Sequence, residues 1–219
     1  MSTTTTTTTS PTAVDVPVPG PAALLALADE PLLAAAAART RRDTGRGRSI
    51  TVLPAAAATP PELAAVAPSP QQPASPGPWP TLAALPEGSH VIVRVAPDPA
   101  ARAAYVAWLH KAADATVPAI SLAPCSGAPA GLHQLWCIAA ARLVLPSHVS
   151  IHARHDLLGI RLAQLALGFG ADALSGPIAP ERALPLCGVP RPDETTLTAL
   201  TTLVRHAGLP VHAPRKSES

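Results

Sequence analysis

Cysteine is scarce and scattered in this chain. Its 219 residues include three, Cys125, Cys137 and Cys187, and no local motif joins them. Such spacing cannot form the compact run of thiolates that holds an iron–sulfur cluster. An uneven set of three also gives no disulfide framework. Aromatic residues are nearly as rare, with one Phe, one Tyr and three Trp. The core must then be built from Leu, Val, Ile and Ala, with Trp79, Trp108 and Trp136 as its large pieces. No strong charge of one sign is present. The formal net charge is +2, which argues against a nucleic-acid binder on bulk grounds. A long apolar run is missing too. The most apolar N-terminal region, Ala22–Ala38, is interrupted by Asp29, Glu30 and Pro31, and no basic residue precedes it. That pattern fits neither a signal peptide nor a membrane helix, so the sequence predicts a soluble, cytoplasmic protein.

Proline, by contrast, is abundant at 28 residues. Proline-rich stretches without hydrophobic periodicity bury too little apolar surface to offset their ordering entropy. The folded part is therefore expected to be shorter than the chain. Residues 1–19 open on a threonine run and read as a disordered, low-complexity tail. Residues 20–53 read as N-terminal helices followed by a first strand. Residues 54–85, rich in Ala, Pro, Ser and Gln, read as a linker. Residues 86–214 carry the main repeating pattern.

Ala22–Arg42 predicts a helix in two pieces, with Asp29 as N-cap and Pro31 in the first turn of the second piece. Gly45 and Gly47 end it, and Ile50–Leu53 predicts a short strand closed by Pro54. From Pro86 onward strand and helix signals alternate. Val91–Val95 is a strand. Asp98-Pro99 opens a helix to Asp114, with Tyr105, Trp108, Leu109 and Ala112 on one face. Ala119–Ala123 is a strand, Leu132–Leu145 a helix, Val149–His152 a strand. Leu157–Phe169 is a helix with a thin polar stripe of Arg161, Gln164 and Gly168, ended by Gly170. Its apolar circumference predicts that it is clamped between the sheet and a neighbouring helix. A short strand begins at Asp172–Leu174. Asp193 caps a last helix carrying Leu197, Leu200, Val204 and Ala207, stopped by Gly208. Such alternation predicts a parallel sheet with right-handed crossovers.

Within Ile138–Gly188 three pieces stand out: IAAARLVLP, HDLLGIRLAQLALGFGADALSGPI, and a Cys-Gly eleven residues after Gly176. With the tail GVPRPDETTLTALTTLVRHAGLPVHAPR, they resemble the C-terminal part of the radical S-adenosylmethionine enzymes of futalosine-dependent menaquinone synthesis. Aminofutalosine synthase is similar in pattern, and so is the cyclic dehypoxanthinyl futalosine synthase. These enzymes tend to read "IA-x-x-RL-x-L", then "G-x-K-x-AQ-x-AL-x-FGADD-x-x-GT", and end on "R-x-AG-x-x-P". Upstream, HVIVRVAPDPAARAAYVAWLHKAADAT and AALLALADEPLLAAAAARTRRDTGRGRSITVLP resemble the family's strand–helix units more loosely. The resemblance implies a partial (β/α) barrel of the TIM-like kind, with its chemistry at the C-terminal ends of the strands.

The departures from that pattern carry as much meaning as the matches. In the family the first strand leads into a C-x3-C-x2-C loop, whose thiolates hold a 4Fe–4S cluster and leave one iron for S-adenosylmethionine. Here Leu53 leads into Pro54-Ala-Ala-Ala-Ala, with no cysteine before Cys125. The family's "FGADD" is FGADA, keeping Asp172 but placing Ala173 beside it. Its acidic pair becomes Pro180-Glu181. Its strand "H-x-E-T" reads Arg94-Val95-Ala96, and its strand-end Tyr-Trp or Ser-Trp reads Arg154-His155. The expectation is a degenerate relative, a pseudoenzyme with no cofactor of its own, acting as an accessory or as a small-molecule- or partner-binding protein. The alternative is half of a split enzyme whose cluster-bearing half lies on another chain. An incomplete barrel exposes sheet edges that invite such a partner, or a second copy.

The candidate ligand-binding residues are Arg94, His152, Arg154, His155, Asp172 and Glu181; none is assigned a catalytic role. His152, Arg154 and His155 fall at one strand end and suit an anion, against the plain alternative of a solvated loop. Asp172 is either a ligand or a hydrogen-bonding residue of its strand end. Cys125, His133 and Cys137 have C-x7-H-x3-C spacing, a poor match to the two tight ligand pairs of a zinc site, so no metal is expected. Arg39, Arg41, Arg42, Arg46 and Arg48 cluster near a helix C-terminus, where cations complement the helix dipole.

Overall fold

The computed structural model describes residues 19–54, 63–64, 79–126, 131–181 and 194–212. In chain order the elements are α1 (Pro21–Ala26), α2 (Asp29–Gly45), β1 (Ile50–Pro54), β2 (Leu63–Ala64), β3 (His90–Arg94), α3 (Pro99–Ala113), β4 (Ser121–Cys125), α4 (Gly131–Val144), β5 (Ser150–Arg154), α5 (His155–Leu158), α6 (Ile160–Gly168), β6 (Ala173–Gly176), α7 (Leu197–His206) and β7 (Val211–His212). The strands form one sheet in the order β2-β3-β4-β5-β6-β1-β7, and every pairing is parallel. The protein is thus of the α/β class, as the alternation predicts. β2 to β6 lie side by side in chain order, the arrangement of consecutive barrel strands, and β1 lies against β6.

Side chains alternate across a strand, and here the two sheet faces differ sharply. One carries Ile50, Val52, Val91, Val93, Leu122, Ile151, Ala153 and Leu174, all in the hydrophobic core. The helices lie against one another as a layer, α1 on α3, α3 on α4, and α4 on α6, with α2 across α4 and α6. α4 is the enclosed helix, buried without interruption from His133 to Val144. The expectation for Leu157–Phe169 holds in its packing, since α6 lies against β5 and β6 of the sheet and against the neighbouring α4, but not in its continuity. That segment breaks at Gly159, whose φ of 79° starts a new helix, and α6 leaves Leu165 exposed. The longer α2 also covers α4.

Helix α3 starts as its sequence dictates. Pro99 sits in the first turn, and the Asp98 carboxylate accepts the Ala101 N–H at 2.8 Å. α2 does not. Its N-cap is Ala28, and Asp29 in the first turn gives its carboxylate to Arg102 at 2.7 Å. α7 is capped by Thr196, whose hydroxyl accepts the Ala199 N–H at 3.2 Å; Asp193, the expected cap, lies outside the described residues. Residues 79–85, read above as the end of a linker, belong to the fold. Leu82 is buried, and Trp79 packs edge-on to Tyr105 and donates its indole N–H to the Arg94 carbonyl at 3.2 Å. The tail at 1–18, most of 54–78 and Cys187 lie outside the described residues.

β4 and β5 run two residues past their expected ends. The strand expected over Ala119–Ala123 continues past Pro124 through Cys125, paired throughout with β3. The proline is tolerated because its missing N–H is on the other side. Ser121 donates to Ser89 and Cys125 accepts from Val95, so the odd residues of β4 bond β3 and Pro124 faces β5. The β4–β5 ladder accordingly stops after Ser121–Ser150 and Leu122–Ile151.

Candidate functional site on the polar face of the sheet

The second sheet face holds the chemistry. By register and alternation it carries His90 and Arg94 of β3, Cys125 of β4, His152 and Arg154 of β5 and Ser175 of β6. Ala123, Cys125 and Ala173 are buried on this face but stand outside the hydrophobic core cluster. Arg94 pairs with Cys125 and Arg154 with Ser175. Continuing the β4–β5 register sets Cys125 between the two arginines, at the C-terminal ends of the strands. Ligands of parallel α/β sheets bind at those ends.

His152 and His90 approach with ring centroids 5.0 Å apart. Burial, then the neighbouring His90 and Arg154, pushes His152 down to about 3, so it is a neutral imidazole at physiological pH. His155 follows Arg154 directly and is also shifted down, first by burial. Its ring lies against Gly176, where a Cβ would come within 2.5 Å of Nε2. The φ of 144° at Gly176 also disfavours a side chain there. Arg154 grips Asp156 through Nε at 3.1 Å and Nη2 at 2.7 Å. Burial raises the Cys125 thiol to about 11 despite the opposing pull of Arg94 and Arg154.

Several polar atoms of this face are buried without a hydrogen-bond partner: Nδ1 of His152, Nε2 of His155, Oγ of Ser175 and Nε of Arg94. His152, His155 and Ser175 are 2, 5 and 3 % exposed. Leaving such groups unsatisfied is costly, typically about 1–3 kcal/mol each, and folded proteins seldom do so without a purpose.

The six expected site residues thus divide. Arg94, His152, Arg154 and His155 come together. Asp172 does not: it precedes β6, at the opposite end of the strands, and its carboxylate takes Arg48 at 2.9 Å, Arg142 at 2.8 Å and the Ile151 N–H at 2.7 Å. That is the hydrogen-bonding alternative raised for it. Glu181 accepts the Thr198 N–H at 2.7 Å at the start of α7. His90 and Ser175 were not singled out from sequence. Alternation hints at His90, four residues before Arg94, but the register is what places His90 beside Ser121 and Ser175 beside Arg154.

The arginine cluster divides too. Arg39 donates to the Leu143 carbonyl at 3.1 Å, and Arg48 joins Asp172, while Arg41, Arg42 and Arg46 are exposed. Cys137 lies in α4 beside His133, whose Nε2 hydrogen-bonds the Val95 carbonyl at 3.0 Å and whose Nδ1 accepts Arg102 Nε at 3.1 Å. Among the described residues no group of three or more His, Cys, Asp or Glu is placed to hold a metal ion. Burial raises both Cys125 and Cys137, which favours the thiol over the thiolate that an iron–sulfur cluster requires. These two sulfurs, on different elements, do not fit such a cluster.

Two clefts lined by described residues lie elsewhere. One of about 460 Å³ includes Leu25, Pro97, Arg102 and Trp136; the other, of about 680 Å³, runs between α2, α6 and the end of α7. No described helix is long and apolar enough to cross a membrane. No protein-family model and no curated protein matches the chain.

Proposed function

We propose that this chain is a degenerate, non-catalytic relative of the radical S-adenosylmethionine enzymes of futalosine-dependent menaquinone synthesis, working in the cytoplasm as a small-molecule-binding or accessory protein. The observation that carries the binding role is the polar face of the sheet, where Arg94, His152, Arg154, His155 and Ser175 converge. Loss of radical chemistry is supported by the sequence after β1, which holds no cysteine before Cys125. Radical cleavage of S-adenosylmethionine needs an electron from a cluster, and nothing in this stretch would ligate one. A partner radical enzyme remains compatible with an accessory role, and nucleic acid does not fit the weak net charge.

Thermal denaturation of the full chain against a fragment panel of mixed charge tests the binding role. A fragment at a hundred times its dissociation constant stabilises by about 2.7 kcal/mol, which at this chain length raises the melting temperature by roughly 5–10 °C. The shift is expected to vanish in an Arg154→Ala, His155→Ala double variant. Equal shifts in the double variant, or no shift with any fragment, would count against the reading.

A further inference from the structure

We infer that the C-terminal ends of β4 and β5, where their ladder lapses, form a site for a small oxyanion, a carboxylate or phosphate group, gripped by Arg94 and hydrogen-bonded by His152, His155 and Ser175. This rests on the binding role proposed above and names what is bound.

The two arginines of the face are not equivalent. Arg154 spends two of its nitrogens on Asp156, so much of its charge is answered within the protein. Arg94 forms no ion pair among the described residues, and its Nε is buried without a partner. A guanidinium in that state is a preorganised fork for a planar carboxylate or a phosphate. Neutral hydrogen-bonding groups stand on the same face of the sheet, toward β5 and β6. Ser175 Oγ and His155 Nε2 both lack partners, and the contact of His155 with Gly176 fixes its ring at the end of β6. The face therefore offers one cation with no ion pair among the described residues, a second already paired with Asp156, and uncharged polar atoms beside them, an array suited to a single anionic group attached to a neutral polar body.

The gap in the sheet supplies the remaining element. Pro124 offers no N–H toward β5, and the recorded β4–β5 pairs end at Leu122–Ile151. Past that point Cys125 and Arg154 are not tied to each other by the backbone ladder. An oxyanion bound there would face side chains from β3, β5 and β6 at once.

The test uses histidine-labelled full-length protein and imidazole NMR, with sodium malonate, sodium phosphate and neutral malonamide as probes. Malonate or phosphate is expected to shift the His155 and His152 resonances while leaving His133, which is committed to Arg102 and Val95, unmoved. Whichever of the two binds more tightly distinguishes a carboxylate from a phosphate ligand. Malonamide is expected to have no such effect. Arg94→Gln should weaken anion binding about tenfold or more, and Arg94→Lys, which keeps the charge but loses the fork, should fall between. An unmoved His133 signal shows that each variant remains folded. If malonamide matched the anions, or Arg94→Gln bound them as well as the parent protein, the inference would be wrong. If a neutral fragment from the thermal panel shifted His152 while both anions did not, the binding role would stand and the oxyanion assignment would fall. If neither anions nor fragments moved His152 or His155, both would fall.

Discussion

Replacing Asp172 with alanine is expected to destabilise the fold by about 3–5 kcal/mol, because it leaves a buried charge without its partner. The charge belongs to Arg142, whose side chain is 3 % exposed. Burial pushes Arg142 below the usual guanidinium range, and Asp172 is the first group that opposes this. Nη2 of Arg142 reaches the carbonyls of Leu145 and Pro146 at 3.2 and 2.9 Å, and among the described residues Asp172 is the carboxylate that ion-pairs with it. The same carboxylate takes Arg48 and the Ile151 N–H, so it joins the approach to β1, the end of α4 and the start of β5. Gly170 is bound to this arrangement: its φ is 119°, and a Cβ there would lie 2.5 Å from Cβ of Arg142. Urea unfolding of Asp172→Ala and Asp172→Asn checks the prediction, with the asparagine variant retaining part of the hydrogen bonding and losing less. A loss under about 1 kcal/mol for Asp172→Ala, the scale of a surface ion pair, would show that Arg142 has another way to be satisfied.

Acid should act through His152. Its folded-state value of about 3 lies below the ordinary 6.5. Between those values the unfolded chain binds a proton that the folded chain refuses. Stability is therefore whole above pH 6.5 and falls as the pH drops toward 3. One unit corresponds to 1.36 kcal/mol, so the loss is about 2 kcal/mol at pH 5 and up to about 5 kcal/mol near pH 3. His133 and His155, both shifted down by burial, act in the same direction. Denaturant midpoints across this range should fall steeply for the parent protein and less steeply for His152→Phe. At neutral pH that variant is expected to be as stable as its parent or more so, since the histidine buries Nδ1 without a partner. Parallel pH profiles would contradict this. A residue that weakens the fold it sits in is best explained by what it binds.

The class of the fold was legible because strand and helix periods alternate from Val91 onward. Asp98-Pro99 marked the start of α3 to the residue. What escaped was set by tertiary context. Pro124 looks like the end of a strand until its vacant side is known to face the lapsed ladder. α6 has the more amphipathic sequence and α4 the greater burial, because α2 covers α4. The site was half visible. Arg154 and His155 stood out at a strand end, whereas His90 and Ser175 needed the register to place them. Asp172 falls in a stretch that resembles a family motif, yet the pattern could not say that two arginines, one before β1 and one in α4, would claim its carboxylate.

The function proposed is that of a radical-enzyme-like scaffold that binds without its radical reagent. Anaerobic reconstitution of the full chain with iron and sulfide, followed by metal and sulfide counting and a visible spectrum, tests it most directly. The account predicts iron far below one per chain and no broad cluster absorption. A stoichiometric 4Fe–4S signal on this chain alone would contradict it.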